Sequence, residues 1–119
     1  MEKENIILNK SFDFALKIIE FSELLEAQKK YVIGKQVLRS GTSIGANVRE
    51  AQSAESKTDF VHKLKIALKE AEETDYWLLL CKYSKNYPFD EGLLELNNEL
   101  IKLLTSIVQT TQNNYRANK

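Results

Sequence analysis

Residues 31–54, YVIGKQVLRSGTSIGANVREAQSA, decide how this chain folds. At about 100° per residue, Ile33, Val37, Ile44, Val48 and Ala51 fall on one face of a helix. Gly34, Gly41 and Gly45 gather on the neighbouring stripe. Each glycine inside a helix costs roughly 0.5–1 kcal/mol relative to alanine. Ser40-Gly41-Thr42-Ser43 therefore reads either as a loop or as part of one long helix. The apolar phase is the same before and after it, which favours a continuous helix from about Tyr31 to Ala54. Glycines on one stripe then let a neighbouring helix approach closely.

Three further helices follow from the same periodicity. The first runs from about Ile6 to Ala27, with Leu8, Phe12, Ala15 and Ile19 on one stripe and Phe14, Ile18, Phe21 and Leu25 on the next. Together they form an apolar arc wider than one core face requires. Gln28-Lys29-Lys30 is a polar connection. Ser56-Lys57-Thr58-Asp59 writes a helix start, with Ser56 as cap and Asp59 in the first turn. That helix extends to about Tyr83 or Ser84 with Phe60, Leu64, Ala67, Leu68, Ala71, Leu78 and Leu79 as core, until Asn86-Tyr87-Pro88 stops it. Asp90 caps a last helix from about Glu91 to Asn113, lined by Leu93, Leu96, Leu100, Leu104 and Ile107; Asn113 to Lys119 is expected to fray. No strand pattern, repeat or low-complexity tract competes.

Composition narrows the classes of function. The chain has 119 residues, enough for one domain with one core, and its 17 basic and 17 acidic residues cancel. No global field draws it to nucleic acid or membrane. A single cysteine, Cys81, excludes an intrachain disulfide and fits a reducing cytosol. No apolar run approaches the ~18 residues of a membrane span, and the polar start Met1-Glu2-Lys3-Glu4-Asn5 is unlike a signal peptide. The expected location is the cytoplasm.

Catalytic and metal motifs are missing. Asp59-x-x-His62 superficially resembles half of a di-iron motif, but such sites need two copies and further inward glutamates, and His62 is the only histidine. Cys81 has no partner for a redox pair or zinc site. Gly41-x-x-x-Gly45 lacks the following Lys and Ser/Thr of a phosphate loop, and no serine sits in a nucleophile elbow. The acidic run Glu70, Glu72, Glu73, Asp75 points in different directions around its helix, with Lys69 placed to pair with Glu73. Asp75 shares the stripe of Leu64, Leu68 and Leu79, so it belongs at the stripe's edge or beside a basic neighbour. Nothing calls for a cofactor or a metal.

Two features ask for more than a solvated monomer. Residues 29–54 carry Lys29, Lys30, Lys35, Arg39 and Arg49 against Glu50, whereas residues 10–27 carry Lys10 and Lys17 against Asp13, Glu20, Glu23 and Glu26. Lys35, Arg39 and Arg49 share a face opposite the core stripe, beside Gln36, Ser43, Asn47 and Glu50. Such a face contacts phosphates, meets an acidic patch of another subunit, or is simply solvated. In addition, Ile66, Trp77 and Leu80 lie opposite the core stripe of the third helix. Large apolar groups on an outer face usually mark an interface.

The run Gln36 to Ala51 resembles a bacterial four-helix-bundle family named for intervening sequences in 23S ribosomal RNA genes. That family's pattern has Gln and Arg, then Ser-Ile, then Asn-Ile-x-Glu-Gly. Gln36, Arg39, Ser43-Ile44, Asn47 and Glu50 match it, with Val48 a conservative replacement and Ala51 in place of the usual glycine. Downstream, Phe60, Leu64, Ala67, Glu73 and Leu78 follow the third-helix spacing, while Lys69-Glu70 replaces a usual Gly-Ser pair. The resemblance implies a small antiparallel bundle, and some members assemble as ring-shaped pentamers. A related branch, the accessory variability proteins of diversity-generating retroelements, is strongly basic and binds RNA and a reverse transcriptase; this chain is neutral.

The sequence therefore predicts an all-α, antiparallel up-down-up-down four-helix bundle forming a single domain over residues 1–119. The expected protein is a non-enzymatic, homo-oligomeric scaffold, pentameric by the resemblance, with Ile66, Trp77 and Leu80 at the contact. The alternative is an accessory module that binds RNA or an RNA-associated protein through Lys35, Arg39, Ser43, Asn47 and Arg49.

Overall fold

The computed structural model describes residues 2–117, and the side-chain surroundings of residues 6–114. Four helices follow one another: α1 (Glu2–Ala27), α2 (Tyr31–Ala51), α3 (Lys57–Tyr83) and α4 (Glu91–Ala117). No strand occurs among the described residues. Each helix packs on the next, and α1 closes against α4. Residue pairings run in opposite senses at every step. Gly34, Gly41 and Gly45 of α2 meet Leu25, Ser22, Ile18 and Ser11 of α1 in descending order. Ser40 and Glu50 of α2 pair with Thr74 and Lys63 of α3, Asn97 and Glu91 of α4 with Ala71 and Lys82 of α3, and Glu99 of α4 with Lys10 of α1. The helices are thus antiparallel neighbours in an elongated bundle of 53 × 23 × 21 Å.

Local chemistry sets the helix ends. α1 closes with a Schellman turn, in which the Lys30 N–H donates to the Leu25 carbonyl at 2.8 Å and the Lys29 N–H to Glu26 at 2.9 Å. Lys29 takes the left-handed position (φ 64°) usually given to glycine. Ser56 caps α3 as expected, its Oγ accepting the Asp59 N–H at 3.0 Å. Asp90 does the same for Leu93 in α4, at 3.3 Å. α1 starts earlier than the pattern indicated, and α4 runs past Asn113 to Ala117. The fraying expected from Asn113 onward is thus not seen over residues 113–117, and its remainder, residues 118–119, lies outside the described residues. α2 stops at Ala51, where Gln52 and Ser53 form a turn, three residues short of its expected end.

The glycine-containing segment is helical throughout, because its glycines are what allow α1 to pack on it. A Cβ on Gly45 would lie 3.3 Å from the Ser11 carbonyl oxygen, and one on Gly41 only 2.8 Å from two carbons of Ile18. α1 answers with small residues of its own. Ser11 and Ser22 are buried there, and their hydroxyls donate back to the carbonyls of Leu8 (3.2 Å) and Ile19 (2.8 Å). α2 therefore seats on the line Ser11–Ile18–Ser22–Leu25. That choice turns Ile7, Phe14, Ile18, Phe21 and Leu25 into the core and leaves Phe12 and Ile19 outside.

The core includes Val37, Ile44 and Val48 from α2, Leu64, Ala71 and Leu78 from α3, and Leu93, Leu100 and Leu104 from α4. Phe60, Leu68 and Leu79 are only partly buried, while Thr74 and Cys81 take inner positions on α3. Besides Ser11, three polar residues that the apolar pattern passed over are fully buried: Ser40, Thr74 and Asn97. Thr74 Oγ1 lies 2.8 Å from both the Ser40 hydroxyl and the Glu70 carbonyl. Asn97 Nδ2 donates to the Ala71 carbonyl at 2.8 Å. These contacts tie α3 to both of its neighbours. Asp75 sits half-buried at the edge of its stripe.

The glycines differ in a way that stability measurements can read. Gly41→Ala should destabilise the bundle by about 1–3 kcal/mol, because the methyl group overpacks Ile18. Gly34→Ala meets only ordinary contacts, at 3.5 Å, to Leu25 and Ser22. It should raise stability by about 0.5–1 kcal/mol through helix propensity. Denaturant melts of the two variants should shift in opposite directions.

Candidate interaction surface on helices one to three

The basic face expected on α2 divides between two seams. Arg39, Ser43 and Asn47 lie along the outer α2–α3 seam. Arg39 Nη1 donates to both Glu70 oxygens, at 3.2 and 3.3 Å, and Nη2 donates to Glu73. Glu73 also accepts the Trp77 indole N–H at 3.0 Å. Two turns of α3 thus gather a guanidinium from α2, two carboxylates and the only tryptophan. Glu73 takes Arg39 and Trp77 in place of the Lys69 expected from i,i+4 spacing. The Ser43 hydroxyl donates to the Arg39 carbonyl at 2.6 Å, and Asn47 Nδ2 to the Ser43 carbonyl at 2.9 Å. Their donors are used along the axis of α2. Glu50, further along, pairs with Lys63 at 3.0 Å.

Mutual pairing shifts the groups involved. The Trp77 hydrogen bond, with the Arg39 charge beside it, holds the Glu73 carboxyl below the usual range. The same contact with Glu73, reinforced by Glu70, raises the Arg39 guanidinium further. Arg39 therefore stays fully protonated, its charge balanced by two neighbouring carboxylates.

Lys35 and Arg49 belong to the α1–α2 seam. Lys35 lines a shallow groove with Ser22, Glu26, Tyr31, Gly34 and Leu38. Arg49 lines another with Leu8, Phe12, Ala15, Thr42 and Ala46. Along this seam large apolar side chains are exposed: on α1 Phe12 is 52% exposed, Leu16 50% and Ile19 40%, with Leu38 of α2 at 38%. Asp13, Glu20, Glu23 and Glu26 are exposed on the α1 side. This apolar face is what the over-wide arc of α1 signalled, although the pattern did not single out Phe12 or Leu16 as contact residues.

Ile66, Trp77 and Leu80, expected at an oligomer contact, are half-buried. Trp77 packs against the core and stacks edge-on with Tyr76, their ring centroids 5.3 Å apart. Ile66 and Leu80 share the outer side of α3 with it.

Other chemistry-bearing residues stand apart. His62 is exposed. Cys81 is buried, and burial pushes its thiol up to about 11. Among the described residues no group of three histidine, cysteine, aspartate or glutamate side chains is placed to hold a metal.

The Glu73 cluster makes a pH prediction. A carboxyl held low in the folded state contributes its full stability above the unfolded value, about 4.3, and loses it as the pH falls through the lower folded value. Fluorescence of Trp77 should therefore change with a midpoint below that of an ordinary glutamate, and Glu73→Gln should abolish the transition. An unchanged titration in the variant would show that Glu73 is not the group observed.

Comparison with known proteins agrees with this geometry. A family model described as 23S rRNA-intervening sequence protein matches residues 3–109. A crystal structure from Bacteroides thetaiotaomicron, described as a protein of unknown function from the S23 ribosomal protein family, is 46% identical. Its alignment covers 90% of this chain and 98% of that one, with a TM-score of 0.84. No curated protein matches the chain. With the family model matching most of its length and the bundle shared, the chain belongs to the 23S rRNA-intervening sequence protein family.

Proposed function

We propose that this protein is a non-enzymatic scaffold that works as a homo-oligomer. The outer face of α1 with the adjoining edge of α2 would be the contact between copies. The exposed row Phe12, Leu16 and Ile19 carries the proposal. A solvated monomer gains nothing from a phenylalanine, a leucine and an isoleucine side by side on an outer face, whereas an interface core does. Charge supports a second copy as the occupant. The α1 edge is acidic through Glu20 and Glu23, and the α2 edge carries Lys35 and Arg49, which pair with no carboxylate among the described residues. A second copy offers the opposite charge to each edge.

Arg39 favours the same reading over RNA binding by α2. Its charge is already met by Glu70 and Glu73. A phosphate would have to displace two carboxylates. Half-buried Ile66, Trp77 and Leu80 suit a supporting edge of the assembly better than its centre. The pentamer remains the size suggested by the resemblance. A cytoplasmic location belongs to the proposal and is supported by a single, buried cysteine. No described helix is long and apolar enough to cross a membrane.

Light scattering at micromolar concentration should give a multiple of the chain mass, five-fold for a pentamer. Phe12→Glu with Leu16→Glu should reduce it to the chain mass while the thermal unfolding transition stays cooperative. A wild-type protein that is strictly monomeric would overturn the proposal.

A further inference from the structure

The turns of the bundle suggest a second surface at one end of the molecule, which meets the apolar face at Tyr31. The α1–α2 and α3–α4 turns lie at the same end, as Lys30 Nζ shows by sitting 4.7 Å from the centroid of the Tyr87 ring. Residues 28–31 read QKKY and residues 82–89 read KYSKNYPF. Together they hold Lys29, Lys30, Lys82 and Lys85, three tyrosines and a phenylalanine, and no carboxylate. In a chain of zero net charge this is a local concentration of cations. The first turn of α2, which continues this end, is also free of acidic residues.

Of the three carboxylates nearest in sequence, two are engaged. Asp90 caps α4 through Leu93, and Glu91 pairs with Lys82 at 3.4 Å. Glu26 shares its groove with Lys35. Lys29 and Lys85 are exposed and meet no acidic partner among the described residues. Lys82 lies over Tyr83 and Phe89, at 5.6 and 5.5 Å. The rings themselves are open: Tyr83 is 77% exposed and Tyr31 52%.

We propose that this end of the bundle is a platform for single-stranded nucleic acid. Lysines would meet the phosphates, and the open tyrosine rings would stack on unpaired bases. The rings choose between polyanions. An acidic protein segment has use for the lysines but little for bare aromatic faces. A duplex keeps its base faces stacked internally. Lysines interleaved with exposed rings match a single strand on both counts. The basic face expected on α2 lacks this combination, since Arg39 is paired and Lys35 and Arg49 lie along an apolar seam.

The test uses the full chain and a fluorescein-labelled oligouridine RNA of about twelve nucleotides, read by anisotropy across about 50–200 mM salt. Light scattering on the same samples tracks the oligomer, so failure here and failure of the oligomer proposal are told apart. Lys29→Gln with Lys85→Gln should weaken binding and reduce the salt slope by about 1.4, the loss of two single-strand phosphate contacts. Tyr83→Ala should weaken binding about five-fold or more with the salt slope unchanged, as expected for a stacked base. Lys57→Gln with Lys65→Gln, at exposed positions of α3 outside both surfaces, should leave affinity unaltered. All three variants change exposed side chains, and matching thermal melts establish that they fold. No binding at low salt would overturn the proposal, as would full affinity in the Lys29/Lys85 variant. Polyglutamate or duplex RNA binding as tightly as oligouridine would overturn it too.

Discussion

The close approach of α2 to α1 is the constraint on which the rest of the molecule depends. Gly34 and Gly41 on α2 make room for Leu25 and Ile18 of α1, and Gly45 lets its backbone come close to that of the buried Ser11. Once α2 occupies the line Ser11–Ile18–Ser22–Leu25, the rotation of α1 is fixed. One of its two apolar stripes becomes core and the other becomes surface. The exposed Phe12 and Ile19 are therefore a consequence of how the glycines pack. The helix-propensity cost of each glycine, roughly 0.5–1 kcal/mol, is offset by packing that a longer side chain would prevent.

The opposite side of α2 is held by polar contacts. Ser40 and Thr74 meet inside the bundle, while Arg39, Glu70 and Glu73 meet outside it. Exposed ion pairs add little stability individually. Their larger effect here is on availability: a guanidinium shared by two carboxylates no longer offers a free charge. A basic row read from a helical wheel thus becomes two sets of residues. One is neutralised at the α2–α3 seam, and the other flanks apolar surface at the α1–α2 seam.

The surface that results is uneven in a way net charge conceals. Apolar side chains concentrate on α1, acidic groups line one edge of that face, and lysines with open tyrosines cluster at the turn end. A neutral chain of this kind has local fields without a global one. The apolar face and the lysine–tyrosine end are largely different parts of the molecule, meeting at Tyr31.

Much of the architecture was legible in the sequence. Apolar periodicity fixes four helices, and Ser56 and Asp90 fix where two of them start, because both signals act within a few residues. The constant apolar phase across Ser40–Ser43 was enough to keep α2 whole. What periodicity does not carry is the partner of each stripe. It marked α1 as too apolar without saying which half is buried, since that depends on where the glycines of a different helix dock. It placed Arg39 with Lys35 and Arg49, since a wheel knows nothing of Glu70 and Glu73 thirty residues away. It missed Ser40, Thr74 and Asn97 as interior residues, because a polar group is buried only when a neighbouring helix brings it a partner. It also gave no sign that Lys30 and Tyr87 meet. The sequence by itself determined the helices, their order and the motif on α2; tertiary packing decided which faces are covered, which charges are spent and which turns share an end, because each of those is a property of two helices at once.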